Sequence, residues 1–124
     1  MIYGVGIDMI ETARVEKQLL RNERFRDRVF SPFEIEYCES KKNKAQNYAA
    51  RFAAKEAFMK ALGLGWRKGL SFKDIEVKND DLGKPSLVLY GKARELAEER
   101  KIKNIQISLT HLKDIAGANV TLET

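Results

Sequence analysis

The chain has 124 residues, 44% of them hydrophobic and 33% charged, with a formal net charge of +5. That length fits one domain. A domain of this size buries roughly two thirds of its unfolded surface, which leaves little depth for a private cleft, so a large substrate calls for a site at a subunit boundary. No run approaches the ~18–20 apolar residues of a membrane span, and a single cysteine, Cys38, excludes an intrachain disulfide and argues against a cysteine-based zinc site. The N-terminal Met-Ile-Tyr-Gly-Val-Gly-Ile-Asp lacks a basic leader and a small-residue cleavage site, so the expected location is the cytoplasm. A pI of about 9.4 favours acidic partners, namely phosphates, nucleic acid or an acidic protein, without choosing among them.

Ile2 to Asp8 reads as a short apolar strand and Thr12 to about Asn22 as a helix with Val15 and Leu19 inward, a weaker helical turn continuing through Phe25 and Val29. Ser31-Pro32-Phe33-Glu34 opens the next helix: serine as N-cap, proline in the first turn and glutamate placed for a capping box. That helix ends near Lys41. Asn43 to Leu62 is the strongest element, with Ala45, Ala49, Phe52, Ala53 and Ala57 near one face and Ala50, Ala54, Ala61 and Leu62 extending the apolar surface round it. So many alanines predict close approach of neighbouring backbone. Gly63 and Gly65 end the helix. Ile75 to Lys78 and Ser86 to Tyr90 read as a hairpin around a turn from Asn79 to Pro85, and Gly91 to Arg100 as a short helix. Ile105 to Thr110 and Ala116 to Leu122 alternate apolar and polar residues around Lys113-Asp114, which predicts a second hairpin. The order β-α-α-α-β-β-α-β-β is α+β, with helices on a mostly antiparallel sheet.

Asp8, at the end of its strand, suits either a hard cation or the cap of the helix that follows. Glu56 and Lys60 are four apart and suit an exposed helix pair, yet Glu56 lies on the apolar stripe, where a glutamate needs a partner. Arg51 and Lys55 are four apart and alike in charge; they suit either a solvated face or an anion held between them. His111, the only histidine, is structural or bonds a phosphate or an adenine edge. Gly63-Leu64-Gly65 reads as a helix C-cap or a weak phosphate loop, and no Walker motif is present. Arg14, Lys17, Arg21, Arg24 and Arg28 recur in a 3-4-3-4 spacing, which makes one basic face if the stretch stays helical. Such a face is either plainly solvated or suited to an acidic helix or a phosphate backbone, with Phe25 beside it as an apolar anchor.

Taken in order, these segments resemble the holo-acyl-carrier-protein synthases. The resemblance rests on Gly6-Ile7-Asp8 with Arg14, on Phe30 to Tyr37 with Glu34 and Tyr37 in phase, and above all on Arg51-Phe52-Ala53-Ala54-Lys55-Glu56-Ala57 continuing through Lys60 to Gly63 and Gly65. Ser71 to Val77, Gly83-Lys84-Pro85 and Ser108-Leu109-Thr110-His111 match later blocks; the last departs from the family, which more often has serine before the histidine. The resemblance implies transfer of 4′-phosphopantetheine from coenzyme A to a serine of apo-acyl carrier protein, with release of 3′,5′-ADP, in fatty acid biosynthesis. It implies Mg²⁺ held by Asp8 and Glu56, with Lys60 at the pyrophosphate, these three being the catalytic residues. Coenzyme A contacts fall on Arg51, Lys55, Lys60, Gly63, Gly65 and His111, with Gly83, Lys84 and Pro85 near the nucleotide. Arg14, Arg21, Arg24 and Phe25 would meet the acidic carrier protein. A homotrimer with interfacial active sites is also implied. The rival readings are a non-enzymatic basic nucleic-acid-binding module and an interaction subunit whose long helix is structural. Against the former, aromatics are only 9% and neither RNP-type aromatic strands nor a GXXG clamp is present.

Overall fold

The computed structural model describes residues 1–65 and 69–124. Ile2–Glu11 forms strand β1, followed by helices α1 (Thr12–Arg21), α2 (Glu23–Val29), α3 (Pro32–Glu39) and α4 (Lys44–Leu62). A 3₁₀ turn (Phe72–Asp74) leads into β2 (Ile75–Asn79) and β3 (Pro85–Leu89); α5 (Gly91–Glu99), β4 (Asn104–His111) and β5 (Ile115–Glu123) complete the chain. The predicted α+β class holds. The strands form two antiparallel sheets rather than one: β1-β5-β4 and the β2-β3 hairpin. Among the described residues no helix is long and apolar enough to cross a membrane.

The first sheet is built to receive α4. Gly4 and Gly6 are on the face of β1 that meets the helix. A Cβ on Gly6 would lie 1.9 Å from the Ala57 carbonyl oxygen, and one on Gly4 2.0 Å from that of Ala61. Glycine is therefore required on the strand, and alanine on the helix, for the two backbones to touch. Ala53, Ala57, Ala61, Val120 and Leu122 fill the layer between them. Most of α4 is buried around its whole circumference, which explains why its apolar residues do not form a single stripe. A second cluster, around Phe30, Cys38, Tyr48, Ala49 and Ala50, joins α1, α2 and α3 to the first half of α4.

The capping box is present as predicted: Glu34 N–H donates to Ser31 Oγ at 3.2 Å, and Ser31 N–H to Glu34 Oε1 at 2.8 Å. Gly63 ends α4 in the left-handed conformation (φ 78°). Its N–H bonds to Lys60 O and that of Leu64 to Met59 O, the Schellman arrangement. Gly63 has a structural explanation in the cap, as the simpler sequence reading had it; Gly65 lies beyond the cap and takes no part in it.

Two expectations change. β1 runs on to Glu11, which itself flanks α1. Asp8 is therefore inside the strand and does not cap a helix. The helical stretch also breaks at Asn22, whose backbone is extended (φ −168°, ψ 122°) and whose Oδ1 accepts the Arg24 N–H at 2.6 Å. Asparagine competes with helix continuation by bonding local backbone, so the turn expected to continue the first helix is a separate helix. Arg24 and Arg28 consequently lie on a different axis from Arg14, Lys17 and Arg21, and the five bases form no continuous face.

Candidate functional site

Three places gather the residues singled out above. The first is the seam of β1 and α4. Lys60 Nζ donates to Asp8 Oδ1 at 2.9 Å and to Ile7 O at 3.0 Å. The Asp8 side chain is 16% exposed and that of Lys60 54%. Glu56 is one turn earlier on α4 and half-buried; i and i+4 side chains are neighbours about 5–6 Å apart at Cβ. The glycines of β1 set this geometry, since they seat Ala57 and Ala61 on the strand and thereby deliver Lys60 to Asp8. Asp8 holds the Lys60 ammonium, and Glu56 occupies the neighbouring turn of α4; carboxylates so placed are of the type that holds a hard cation beside a phosphate. Among the described residues no three His, Cys, Asp or Glu side chains gather as a fuller cage.

The second place is a cleft of about 400 Å³ between the first half of α4, the β2–β3 turn and β4. Arg51, Gly83, Lys84, Pro85 and His111 all line it, together with Tyr37, Asn79 and Ser108. Arg51 forms its floor. The side chain is only 2% exposed, its guanidinium lies 4.2 Å from the centre of the Tyr37 ring, and it donates to Asn79 Oδ1 at 2.7 Å and to Asn47 O at 3.2 Å. Its Nε has no hydrogen-bond partner among the described residues. Among the described residues Arg51 makes no ion pair. A buried cation without a counter-charge is costly unless an anion supplies one. The turn is held by Asp80, whose Oδ1 accepts N–H groups of Leu82 and Lys84, each at 2.9 Å, and by Asn79 Nδ2, which donates to Gly83 O at 3.1 Å. Gly83 takes φ 87°, open to glycine at little cost.

The third place is a groove of about 510 Å³ lined by Arg14, Lys17, Arg21, Phe25, Ile10 and Phe52, among others. Phe52 is one turn before Glu56 on α4, and Ile10 two residues beyond Asp8 on the same face of β1, so the groove leads toward the Asp8–Lys60 seam.

Matched by its sequence, residues 4–118 fit the model of the 4′-phosphopantetheinyl transferase superfamily. The chain belongs to that superfamily. A holo-[acyl-carrier-protein] synthase of Geobacter sp. (strain M21) is 55% identical over 124 residues, covering 99% of each chain. The crystal structure of holo-[acyl-carrier-protein] synthase from Neisseria meningitidis superposes with a TM-score of 0.91 at 33% identity, covering 100% of both chains. A Bacillus anthracis holo-(acyl-carrier-protein) synthase, crystallised in complex with CoA (3′,5′-ADP), gives 0.82 at 40% identity, covering 100% of this chain and 98% of that one.

Within this transferase fold, several residues carried by the resemblance lie elsewhere than expected. Lys55 is not beside Arg51 at a ligand. It is fully buried, and its Nζ donates to Glu34 Oε1 (2.9 Å), Phe72 O (2.9 Å) and Ile75 O (2.7 Å). Burial lowers its pKa, against the opposing pull of Glu34. Residues four apart share a helix face in the isolated helix, but here each found its own long-range partner. Gly63 is at the far end of α4, roughly 18 Å from Arg51 at 1.5 Å per residue, with Gly65 beyond it, and neither lines the cleft. Arg24 does not line the basic groove. Phe25 does, but as its inner wall: its ring packs 6.2 Å from Phe30 and 6.3 Å from Phe52, so it is no protruding anchor.

Asn79, which fixes both Arg51 and the turn, and Gln46, which meets His111, escaped the sequence reading. Neither carries a periodic or motif signal; their roles come from partners distant in the chain. Cys38 has no part in the chemistry. It is fully buried, and desolvation pushes its thiol up to about 12, which leaves it without thiolate character near neutrality.

Proposed function

We propose that this protein transfers 4′-phosphopantetheine from coenzyme A to a serine of apo-acyl carrier protein, in a Mg²⁺-dependent reaction serving fatty acid biosynthesis in the cytoplasm. The observation that carries the reading is the Arg51 cleft: residues from α4, the β2–β3 turn and β4 meet around a buried guanidinium that lacks a counter-charge among the described residues. A nucleotide phosphate would supply it, with Lys84 and His111 at the rim.

In the proposed reaction the serine Oγ gives up its proton to solvent and forms a bond to the phosphorus that bears pantetheine, and the pyrophosphate P–O bond breaks to release 3′,5′-ADP. Asp8 and Glu56 fit Mg²⁺, an ion commonly bound by one or two carboxylates together with substrate phosphates. When bound, it offsets the charge that builds on the transferring group. Lys60, already held at Asp8 Oδ1, stands at the pyrophosphate and stabilises the leaving ADP. Arg14, Lys17 and Arg21 line the approach for an acidic carrier protein, where charge chiefly raises the on-rate and sets register.

We further propose a homotrimer whose active sites form between copies. Arg51 and Lys60 lie roughly 180° apart around α4, so the cleft and the carboxylate pair face away from each other within one chain. The outer face of the first sheet is open and partly apolar, with Val5, Ile7 and Met9 each more than half exposed (56%, 64% and 66%). An uncovered apolar row of this kind suits a protein interface. Light scattering coupled to chromatography tests the assembly; an active monomer refutes it.

The superfamily is one of transferases, which favours the enzyme reading over the nucleic-acid one. Incubation with apo-carrier protein, coenzyme A and Mg²⁺, followed by mass spectrometry, tests the function: a phosphopantetheine adduct on the carrier supports it, and an unmodified carrier refutes it.

A further inference from the structure

His111 stands at the end of a chain of hydrogen bonds whose direction is set by the main chain. Its Nδ1 lies 2.8 Å from Gln46 Oε1. That oxygen also accepts from Asn43 Nδ2 at 3.1 Å. Asn43 Oδ1 accepts from Asn47 Nδ2 at 3.2 Å, and the same Asn47 nitrogen donates to the Asn43 main-chain carbonyl at 3.1 Å. A carbonyl oxygen only accepts, so Asn47 must turn its NH₂ to it. Asn43 must then offer oxygen to Asn47 and nitrogen to Gln46. Gln46 must in turn offer oxygen, and an amide oxygen beside a ring nitrogen requires an N–H there. Each link fixes the next, and the last fixes the proton of the imidazole on Nδ1.

We propose that Gln46 is a positioning residue for His111: it keeps the proton on Nδ1 and so makes Nε2 the nitrogen that addresses a ligand in the Arg51 cleft. His111 is exposed and lines that cleft, whereas Gln46 does not. In the neutral ring Nε2 accepts from an N–H or O–H of the ligand; in the protonated ring it donates to a phosphate. The bond to Gln46 is the same in both states. The identity of the ligand as coenzyme A rests on the function proposed above; the tautomer does not.

His111 is the only histidine, so nitrogen–proton correlation spectra of the untagged, ligand-free protein contain one imidazole. The wild type is expected to show the neutral ring protonated on Nδ1. Gln46→Ala should populate the Nε2–H form, and Gln46→Glu, which keeps an acceptor oxygen, should retain Nδ1–H. In turnover, Gln46→Ala should raise KM for coenzyme A about fivefold, the scale of one ordinary hydrogen bond, without altering KM for carrier protein or kcat; Gln46→Glu should restore it. A wild-type ring protonated on Nε2, a Gln46→Ala ring unchanged from wild type, or a changed ring with unchanged KM for coenzyme A overturns the proposal. A wild type with the expected tautomer that fails to modify any carrier refutes the functional reading instead, so the two failures are distinct.

Discussion

Lys55 Nζ lies 2.9 Å from Glu34 Oε1, and neither side chain reaches solvent. The carboxylate is also engaged on its other side, where Oε2 accepts the Val77 N–H at 2.8 Å. Together the two residues bind the start of α3, the middle of α4 and strand β2 at one buried point. Removing one member of such a pair leaves an uncompensated charge and typically costs about 3–5 kcal/mol. Lys55→Met is therefore expected to lose stability on that scale in urea unfolding. The fraction that stays folded should keep its KM for coenzyme A. A raised KM with unchanged stability would return Lys55 to the ligand site.

Asp8 and Glu56 are expected to act in turnover rather than in folding, because both are partly open to solvent at the seam. Asp8→Asn and Glu56→Gln should each lower kcat by about 100-fold or more, the scale for losing an electrostatic stabiliser of the transition state. Raising Mg²⁺ should recover part of the loss, with thermal midpoints close to wild type. Turnover that does not depend on Mg²⁺ in the wild type would remove the carboxylates from the mechanism.

The broken helix at Asn22 makes the basic residues unequal. Arg14→Glu and Arg21→Glu, which alter the groove wall, should raise KM for carrier protein about tenfold, equivalent to about 1.4 kcal/mol, while sparing KM for coenzyme A. Arg24→Glu should do less, since Arg24 does not line the groove. The difference should shrink as salt is added. Equal effects from all three charge reversals would mean that net charge, not the groove, governs the encounter.

Gly6→Ala is the sharpest test of the seam. With a Cβ placed 1.9 Å from the Ala57 carbonyl oxygen, strand and helix must separate. Overpacking usually costs about 1–3 kcal/mol, and a clash with main chain belongs at the upper end. Denaturant unfolding should show that loss, and kcat should fall as well, because Lys60 moves with the helix. Unchanged stability would mean that α4 rides higher on the sheet than described.

The sequence displays its local chemistry openly. The Ser31–Glu34 capping box, the glycine end of α4, the alternating strands and the turn at Gly83 all follow from residue types at short separations. The alanine content of α4 also announces close backbone contact. Three features were hidden. The sequence ends the first helix near Asn22, but apolar and basic spacing continues past it, and only the cap geometry makes the stretch beyond a separate helix. Lys55 turns inward because Glu34, far off in the chain, is there to meet it. Arg51 owes its place to Asn79, which carries no motif signal, and to Tyr37, which the sequence marks only as part of the resemblance and not as a partner of Arg51. Residue spacing reports the isolated helix, whereas these side chains answer to partners that only the tertiary fold supplies.

The opposed placement of Arg51 and Lys60 on α4 has a genetic consequence. Under the interfacial reading, each working centre takes Arg51 from one copy and Lys60 from the next. Two crippled alleles, Arg51→Ala and Lys60→Ala, would then complement each other when their products are unfolded together and reassembled. Random mixing in equal amounts around a head-to-tail ring gives about a quarter of the boundaries two intact halves. A mixture of inactive proteins should therefore recover close to that share of wild-type turnover.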